Sequence, residues 1–265
     1  MKIETRGAVV RFGTTTALSG VDVTVDGGEL VGFIGPNGSG KTTLLRVLAG
    51  LLSPDSGSTF LSGRPSTTIE RGEFARSVSY LQQGAEVHWP ITIESLVGLG
   101  RLPHRRAFRG PTERDRQAIE NALTATDTHL LRQRTVNQVS GGERMRALLA
   151  RALAVEAPML LADEPVAALD PLHQLQVMDL LRAKVAAGGG VVVVLHDLSL
   201  AARYCDRLVL MSKGAVLAEG RPSQVLSDDN VAQAFGVRVV RGMHEGVPII
   251  TPWKPLDGEN HASAN

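Results

Sequence analysis

Apolar and polar positions along the chain fall into three kinds of pattern. The first is the continuous apolar run: Leu30-Val31-Gly32-Phe33-Ile34, Met159-Leu160-Leu161-Ala162 and Val191-Val192-Val193-Val194-Leu195. Runs of that length predict strands buried on both faces, as in a parallel sheet. The second is alternation. Val21, Val23 and Val25 alternate with Asp22 and Thr24, which predicts a half-buried antiparallel strand at 21–25. Residues 2–12, 58–61 and 78–81 also read as strands, as do 207–211 and 215–218 around the turn Ser212-Lys213-Gly214.

The third pattern is helical spacing. Leu44, Leu45 and Leu48 predict a helix that stops at Gly50, and Ile93, Leu96, Val97 and Leu99 predict another. Ile119, Ala122 and Leu123 share one face of a helix over 116–125. Met145, Leu148, Leu149, Ala152 and Leu153 make an apolar stripe behind Ser140. Leu175, Met178, Leu181 and Val185 line a helix that starts at Pro171 and ends at Gly188-Gly189-Gly190. Residues 198–204 and 222–235 read as short helices, and the polar stretch 258–265 as disordered. The order of these elements predicts an α/β fold. A mainly parallel sheet forms its core, antiparallel strands lie at the N-terminus, and a helical insertion occupies 84–139.

Candidate chemistry gathers where apolar runs end. Gly35-Pro36-Asn37-Gly38-Ser39-Gly40-Lys41-Thr42-Thr43 matches G-x-x-x-x-G-K-[ST], the phosphate-binding loop. A strand precedes it and a helix follows, the geometry that aims backbone N–H groups at an anion. Lys41 would reach the β- and γ-phosphates, and the Thr42 hydroxyl would ligate Mg²⁺. Asp163 and Glu164 follow the run 159–162, where carboxylates are costly unless they have partners or work. Ligands bind at that edge of such a sheet. Asp163 would hold Mg²⁺ through water, and Glu164 would polarise an attacking water. His196, at the end of the run 191–195, falls at the same edge and is read as a γ-phosphate contact.

Other positions keep two readings open. Phe12 could stack on an adenine ring or pack as a strand-end core residue. Gln82 and Gln83, at another strand end, could reach a phosphate or metal, or lie in a solvated loop. Ser140-Gly141-Gly142-Glu143 has the spacing of a capping box, and its glycines would also leave N–H groups open to an anion. Asp170 before Pro171 is read as the cap of its helix. The basic run 101–109 is a solvated loop, or a contact for a partner or anionic lipid.

Composition narrows the classes. The chain has 265 residues, a formal net charge of +1 and one cysteine, Cys205. The balance does not point to nucleic acid, and a single cysteine fits a reducing compartment without an intrachain disulfide. No apolar run approaches the roughly 18 residues of a spanning helix. The N-terminus lacks a signal-peptide apolar core. A cytoplasmic protein is expected, brought to any membrane by a partner.

In order, the motifs GPNGSGKTT, YLQQ, VSGGE, LLADEP, AALD and VVVVLHD resemble the ATP-binding subunit of an ATP-binding-cassette (ABC) transporter, over roughly 2–230. The resemblance implies that Gly35, Pro36, Asn37, Gly38, Ser39, Gly40, Lys41, Thr42 and Thr43 form the Walker A loop. It makes Gln83 the Q-loop glutamine, a Mg²⁺ contact, and Phe12 the adenine-stacking aromatic. Ser140, Gly141, Gly142 and Glu143 become the signature motif. Asp163 becomes the Walker B aspartate, Glu164 the catalytic glutamate, Asp170 the D-loop aspartate and His196 the switch histidine. ATP and Mg²⁺ are the implied ligands. Two copies would meet head to tail, each ATP between one Walker A loop and the other copy's signature helix.

A P-loop NTPase domain over 1–240 is implied. Its nucleotide-binding core would be 1–86 and 154–220, and its helical subdomain 87–153. A C-terminal helix and tail would occupy 221–265. The implied partners are a second ATPase subunit, multi-spanning permease subunits and, indirectly, a substrate-binding protein, at the cytoplasmic face of a bacterial inner membrane. Departures are Gln82 for a common proline, Glu143 for the usual glutamine, and Val166-Ala167 for a common Thr-Ser. The stretches 89–104 and 196–206 are similar to importers of iron-siderophores, haem and cobalamin. Zinc or manganese importers, exporters and soluble ABC-type ATPases are the alternatives.

Overall fold

The computed structural model describes residues 1–84, 89–105 and 110–256. β1 (Lys2–Phe12) and β2 (Thr15–Asp26) form an antiparallel hairpin. β2 begins six residues before the alternation at 21–25, because backbone pairing runs on through Thr15, Thr16 and Leu18 despite register shifts. β3 (Leu30–Ile34) leads through the glycine loop into α1 (Lys41–Leu48). β4 (Ser56–Leu61) and β5 (Arg64–Pro65) complete a four-stranded sheet of order β2-β1-β4-β5. α2 (Arg71–Ser77) is a helix that the apolar pattern did not predict. The Glu70 carboxylate caps it, accepting from the N–H groups of Gly72 and Glu73.

After β6 (Val78–Leu81) come α3 (Ile93–Gly98), a 3₁₀ turn at Leu99–His104, α4 (Glu113–Ala125) and α5 (Gly141–Ala154). α3, α4 and α5 pack on one another. Arg101 joins them. It is 0% exposed, and its guanidinium donates to Asp115 Oδ1 at 2.9 Å, to Ala154 O at 2.7 Å and to Glu156 Oε2 at 2.9 Å. The basic run 101–109 therefore does not begin as a solvated loop. Its first arginine is a buried staple, and His104 Nε2 lies 2.7 Å from Val155 O. Residues 106–109 lie outside the described residues.

β7 (Met159–Ala162), α6 (Pro171–Ala186), β8 (Gly190–Val194), α7 (Leu198–Tyr204), β9 (Arg207–Ser212) and β10 (Ala215–Gly220) complete the core. The second sheet has the order β10-β9-β3-β8-β7-β6, parallel except for β10. Successive side chains of its strands enter opposite cores, as the strand period of two requires. Leu30, Val191 and Val193 join the helices α3 to α7. Val31, Val192 and Val194 join α1 and the antiparallel sheet. Gly32 stands in β3 where a Cβ would lie 2.7 Å from Cys205 Sγ, so the lone cysteine fills the space that glycine leaves. Burial pushes that thiol's pKa up, which keeps it protonated and unreactive.

The C-terminal segment corrects the expectation of a helix and tail at 221–265. Two short helices, α8 (Pro222–Val225) and α9 (Asp228–Phe235), are followed by a two-stranded antiparallel hairpin, β11 (Val237–His244) and β12 (Val247–Pro255). Gly242, Pro248 and Pro252 interrupt the apolar alternation by which such strands are recognised. The predicted disorder at 258–265 lies outside the described residues.

Candidate functional site

The glycine loop is a tight cradle. Gly35 has φ 143°, and a Cβ there would lie 2.2 Å from Met211 O. Gly40 has φ 101°, and a Cβ there would lie 2.6 Å from Ala17 O. Only glycine reaches both backbone shapes without strain. The loop is thereby wedged between β9 and β2. Lys41 is buried. Its Nζ donates to the carbonyls of Gly35 and Pro36, at 2.8 Å each, and approaches Ser39 Oγ at 3.4 Å. Burial lowers the pKa of its amine, and the charges of Glu164 and Asp163 oppose that shift. No side chain caps the start of α1. Its first N–H groups therefore face the cradle without an internal partner.

The acids meet this cradle. Asp163 follows β7 and is 0% exposed. Its Oδ1 accepts from the Thr42 hydroxyl at 3.2 Å, and its Oδ2 from the Tyr80 hydroxyl at 3.4 Å. Burial raises the carboxyl's pKa, the Thr42 bond counteracts this, and the charge of Glu164 adds to it. Glu164 has φ 51°, a left-handed conformation uncommon outside glycine and asparagine. That backbone shape turns its carboxylate between two further candidates. Gln83 Nε2 donates to Glu164 Oε2 at 2.7 Å, and His196 Nε2 lies 2.6 Å from Glu164 Oε1. Where that carboxylate is ionised it only accepts, and the ring then donates from Nε2. A cavity of about 240 Å³, lined by Ala167, Gln174, Leu195 and Leu200, adjoins the pair.

The remaining candidates stand apart. Phe12 ends β1 and is 54% exposed, on the same hairpin as the Ala17 carbonyl that abuts Gly40. Asp170 caps α6, accepting from the His173 N–H at 3.0 Å. Its carboxyl is held below the usual range by that bond and by the His173 ring. Ser140 Oγ accepts from the Glu143 N–H at 3.2 Å, and Glu143 Oε2 accepts from the Ser140 N–H at 2.8 Å. That reciprocal box opens α5 toward solvent. Among the described residues, 140–143 make no hydrogen bond to 35–43 of their own chain.

Two residues beside the cluster escaped the sequence reading. Tyr80 counted only as a strand residue, although its hydroxyl touches Asp163. Gln174 donates to the carbonyls of Val166 and Leu169, at 3.2 and 3.1 Å, and so clasps the loop between Glu164 and Asp170. A glutamine in the first turn of an otherwise apolar-faced helix is the one signal that pointed to it.

The donor set suits a hard cation that brings phosphate with it. Among the described residues no group of three or more His, Cys, Asp or Glu side chains is placed to hold a metal alone. Thr42 and Asp163 supply oxygens from adjacent sides of the cradle. One carboxylate plus phosphate oxygens is how Mg²⁺ is usually bound, whereas an all-protein cage is not.

A family model described as ABC transporter matches residues 18–167. The chain is 39% identical over 255 residues to the Hemin import ATP-binding protein HmuV of Pseudomonas entomophila, covering 94% of this chain and 98% of that protein. It is 37% identical over 266 residues to the Cobalamin import ATP-binding protein BtuD of Halobacterium salinarum, covering all of this chain. It spans 66% of that relative's length. A solved dimeric bacterial ABC transporter cassette is similar in structure, with a TM-score of 0.75 and 28% identity, covering 83% of this chain and 98% of that one.

Proposed function

The chain belongs to the ABC transporter family, and from that premise we propose that it is the ATP-hydrolysing, energy-coupling subunit of an importer. Its cargo would be an iron chelate, siderophore or haem, or cobalamin. The observation that carries the ATPase reading is that Lys41, Thr42, Asp163, Glu164, Gln83 and His196 gather at the end of one sheet, with Thr42 hydrogen-bonded to Asp163, and Gln83 and His196 to Glu164. The relatives' cargoes, hemin and cobalamin, support the importer reading.

In this reading the uncapped N–H groups of α1 and the Lys41 ammonium hold the β- and γ-phosphates. Lys41 exchanges its bonds to the Gly35 and Pro36 carbonyls for phosphate oxygens. Thr42, Asp163 and Gln83 would hold Mg²⁺. Bound there, the ion neutralises charge on the β/γ oxygens. Glu164 orients a water in line with the γ-phosphorus and accepts its proton. His196 gives its one N–H to the carboxylate here and would share it with a γ-phosphate oxygen as charge spreads over the γ-phosphoryl group. Phe12 stacks on the adenine. Phosphoryl transfer asks for little beyond such positioning and charge stabilisation.

A second copy would seal the site. Its Ser140 hydroxyl accepts within its own cap and still has a proton to donate to a γ-phosphate oxygen. Asp170 would lie near that junction. Among the described residues no helix is long and apolar enough to cross a membrane. The chain would sit peripherally at the cytoplasmic face, held by permease subunits. A groove of about 690 Å³, lined by Leu51, Ile69 and Phe74 together with polar residues such as Thr59, Ser66 and Arg71, would offer them a seat. The 1–240 domain would bring together the nucleotide core and the signature helix. A substrate-binding protein would deliver the cargo.

Affinity purification of the chain from its own membranes tests the assignment. Recovery of Mg²⁺-dependent ATP hydrolysis together with a multi-spanning membrane protein is expected. Co-purification with DNA-repair or ribosomal factors, and no membrane protein, would overturn the transport role.

A further inference from the structure

The C-terminal hairpin has no part in the phosphate chemistry, yet it grips the helix that follows the histidine. His196 lies just beyond β8, and the Asp197 side chain caps α7 by accepting from the Leu200 N–H at 2.8 Å. Ser199 sits in the first turn of α7. Its Oγ accepts from the Ile250 N–H at 2.9 Å and donates to the Ile250 carbonyl at 3.0 Å. Both backbone groups of one β12 residue are thus held by one hydroxyl.

The grip is anchored at its other side. Ile250 is 4% exposed, the one buried residue among those described in 237–256. Across the hairpin it pairs with Arg241. The Arg241 guanidinium donates twice to Asp228 Oδ1, at 2.8 and 2.7 Å, and also to the Leu226 carbonyl. The hairpin therefore spans from the α8–α9 segment to α7. The remaining described residues of both strands are exposed or half-buried, so apolar burial alone does not account for its seat.

We propose that Ser199 is a positioning residue for His196, and that the hairpin is the strut through which it acts. The inference rests on the role of His196 proposed above. α7 has seven residues and little stability of its own. Beside the burial of Leu198 and Leu200 in the core, two polar fastenings fix the angle of its first turn, the Asp197 cap and the Ser199 clamp. Released from the clamp, the turn shifts, and His196 loses its 2.6 Å reach to Glu164. Misplacements of about 1 Å at a reacting centre cost up to about a hundredfold in rate.

The full chain is assayed as wild type, Ser199→Ala, Ser199→Thr, His196→Ala and the Ser199→Ala/His196→Ala double variant. ATP hydrolysis gives kcat and KM, and a fluorescent nucleotide gives affinity. Ser199→Ala should lower kcat about fivefold to tenfold, the loss of one or two hydrogen bonds, and leave KM and affinity within about twofold. Ser199→Thr, which keeps the hydroxyl, should restore kcat. In the His196→Ala background Ser199→Ala should cost nothing more, since both act through one group. A normal kcat for Ser199→Ala beside an impaired His196→Ala would overturn the clamp alone. Equal losses in both backgrounds would also overturn it. A fully active His196→Ala would remove the histidine's role, and the clamp with it.

Discussion

Two helices of this molecule open in opposite ways. α1 starts at a left-handed glycine with no side-chain cap, and a buried lysine and a buried aspartate stand beside its first turn. α5 starts at Ser140 with its serine and Glu143 capping each other in both directions, while the N–H groups of Gly141 and Gly142 keep no partner among the described residues. The first is an anion site whose partner must come from outside the protein. The second is capped by its own side chains and stands at the surface. A helix end left open at the bottom of a cradle grips a ligand; one capped by its own side chains at the surface, with no bond to that cradle, is placed to meet a ligand held elsewhere. On the reading proposed above, two copies would meet, one contributing the open end and the other the capped one.

Three changes probe that contrast. The largest effect is expected for Glu164→Gln, which keeps the side chain's size but leaves one accepting oxygen in place of two and removes the base. Turnover should fall by about 10² to 10⁴, with nucleotide affinity nearly unchanged. Steady-state hydrolysis and equilibrium binding read the two separately, and normal hydrolysis would reject the role. Next is Lys41→Ala, which strips the charge from the open helix end. ATP affinity should drop about tenfold to a hundredfold, the worth of a hydrogen bond to a charged group. Unchanged affinity would break the comparison at its first term.

The smallest effect concerns the capped end. The Ser140 backbone N–H, then its hydroxyl, hold the Glu143 carboxyl below its usual range. A depressed carboxylate adds stability that is fully present above the ordinary carboxylate pKa. That stability is lost as pH falls from there through the lowered folded value. Glu143→Gln keeps a capping box and removes the ionisation. Its melting temperature should lie slightly below wild type at neutral pH, and the gap should close in acid. A gap that stays constant across that window would show that the ionised cap contributes nothing.

Most of the site could be read from the chain because its groups stand at the ends of apolar runs. Asp163 and Glu164 follow 159–162 directly, and His196 follows 191–195, so strand direction alone brings them to one edge. What escaped depends on distant partners. Arg101 looked like one charge in a basic run, yet its partners are 14, 53 and 55 residues away. Tyr80 meets Asp163 across 83 residues, and Ser199 meets Ile250 across 51. α2 has Phe74 and Ala75 as its apolar content and a glutamate for its cap, which the usual N-cap residues do not suggest. β11 and β12 were hidden by glycine and proline at positions where a strand pattern expects side chains that pack.

Light scattering on the purified Glu164→Gln chain tests the two-copy arrangement most directly. With saturating Mg²⁺ and ATP the mass should double, and with ADP or without nucleotide it should return to that of one chain. A variant that binds ATP fully and stays monomeric at every protein concentration tried would contradict it.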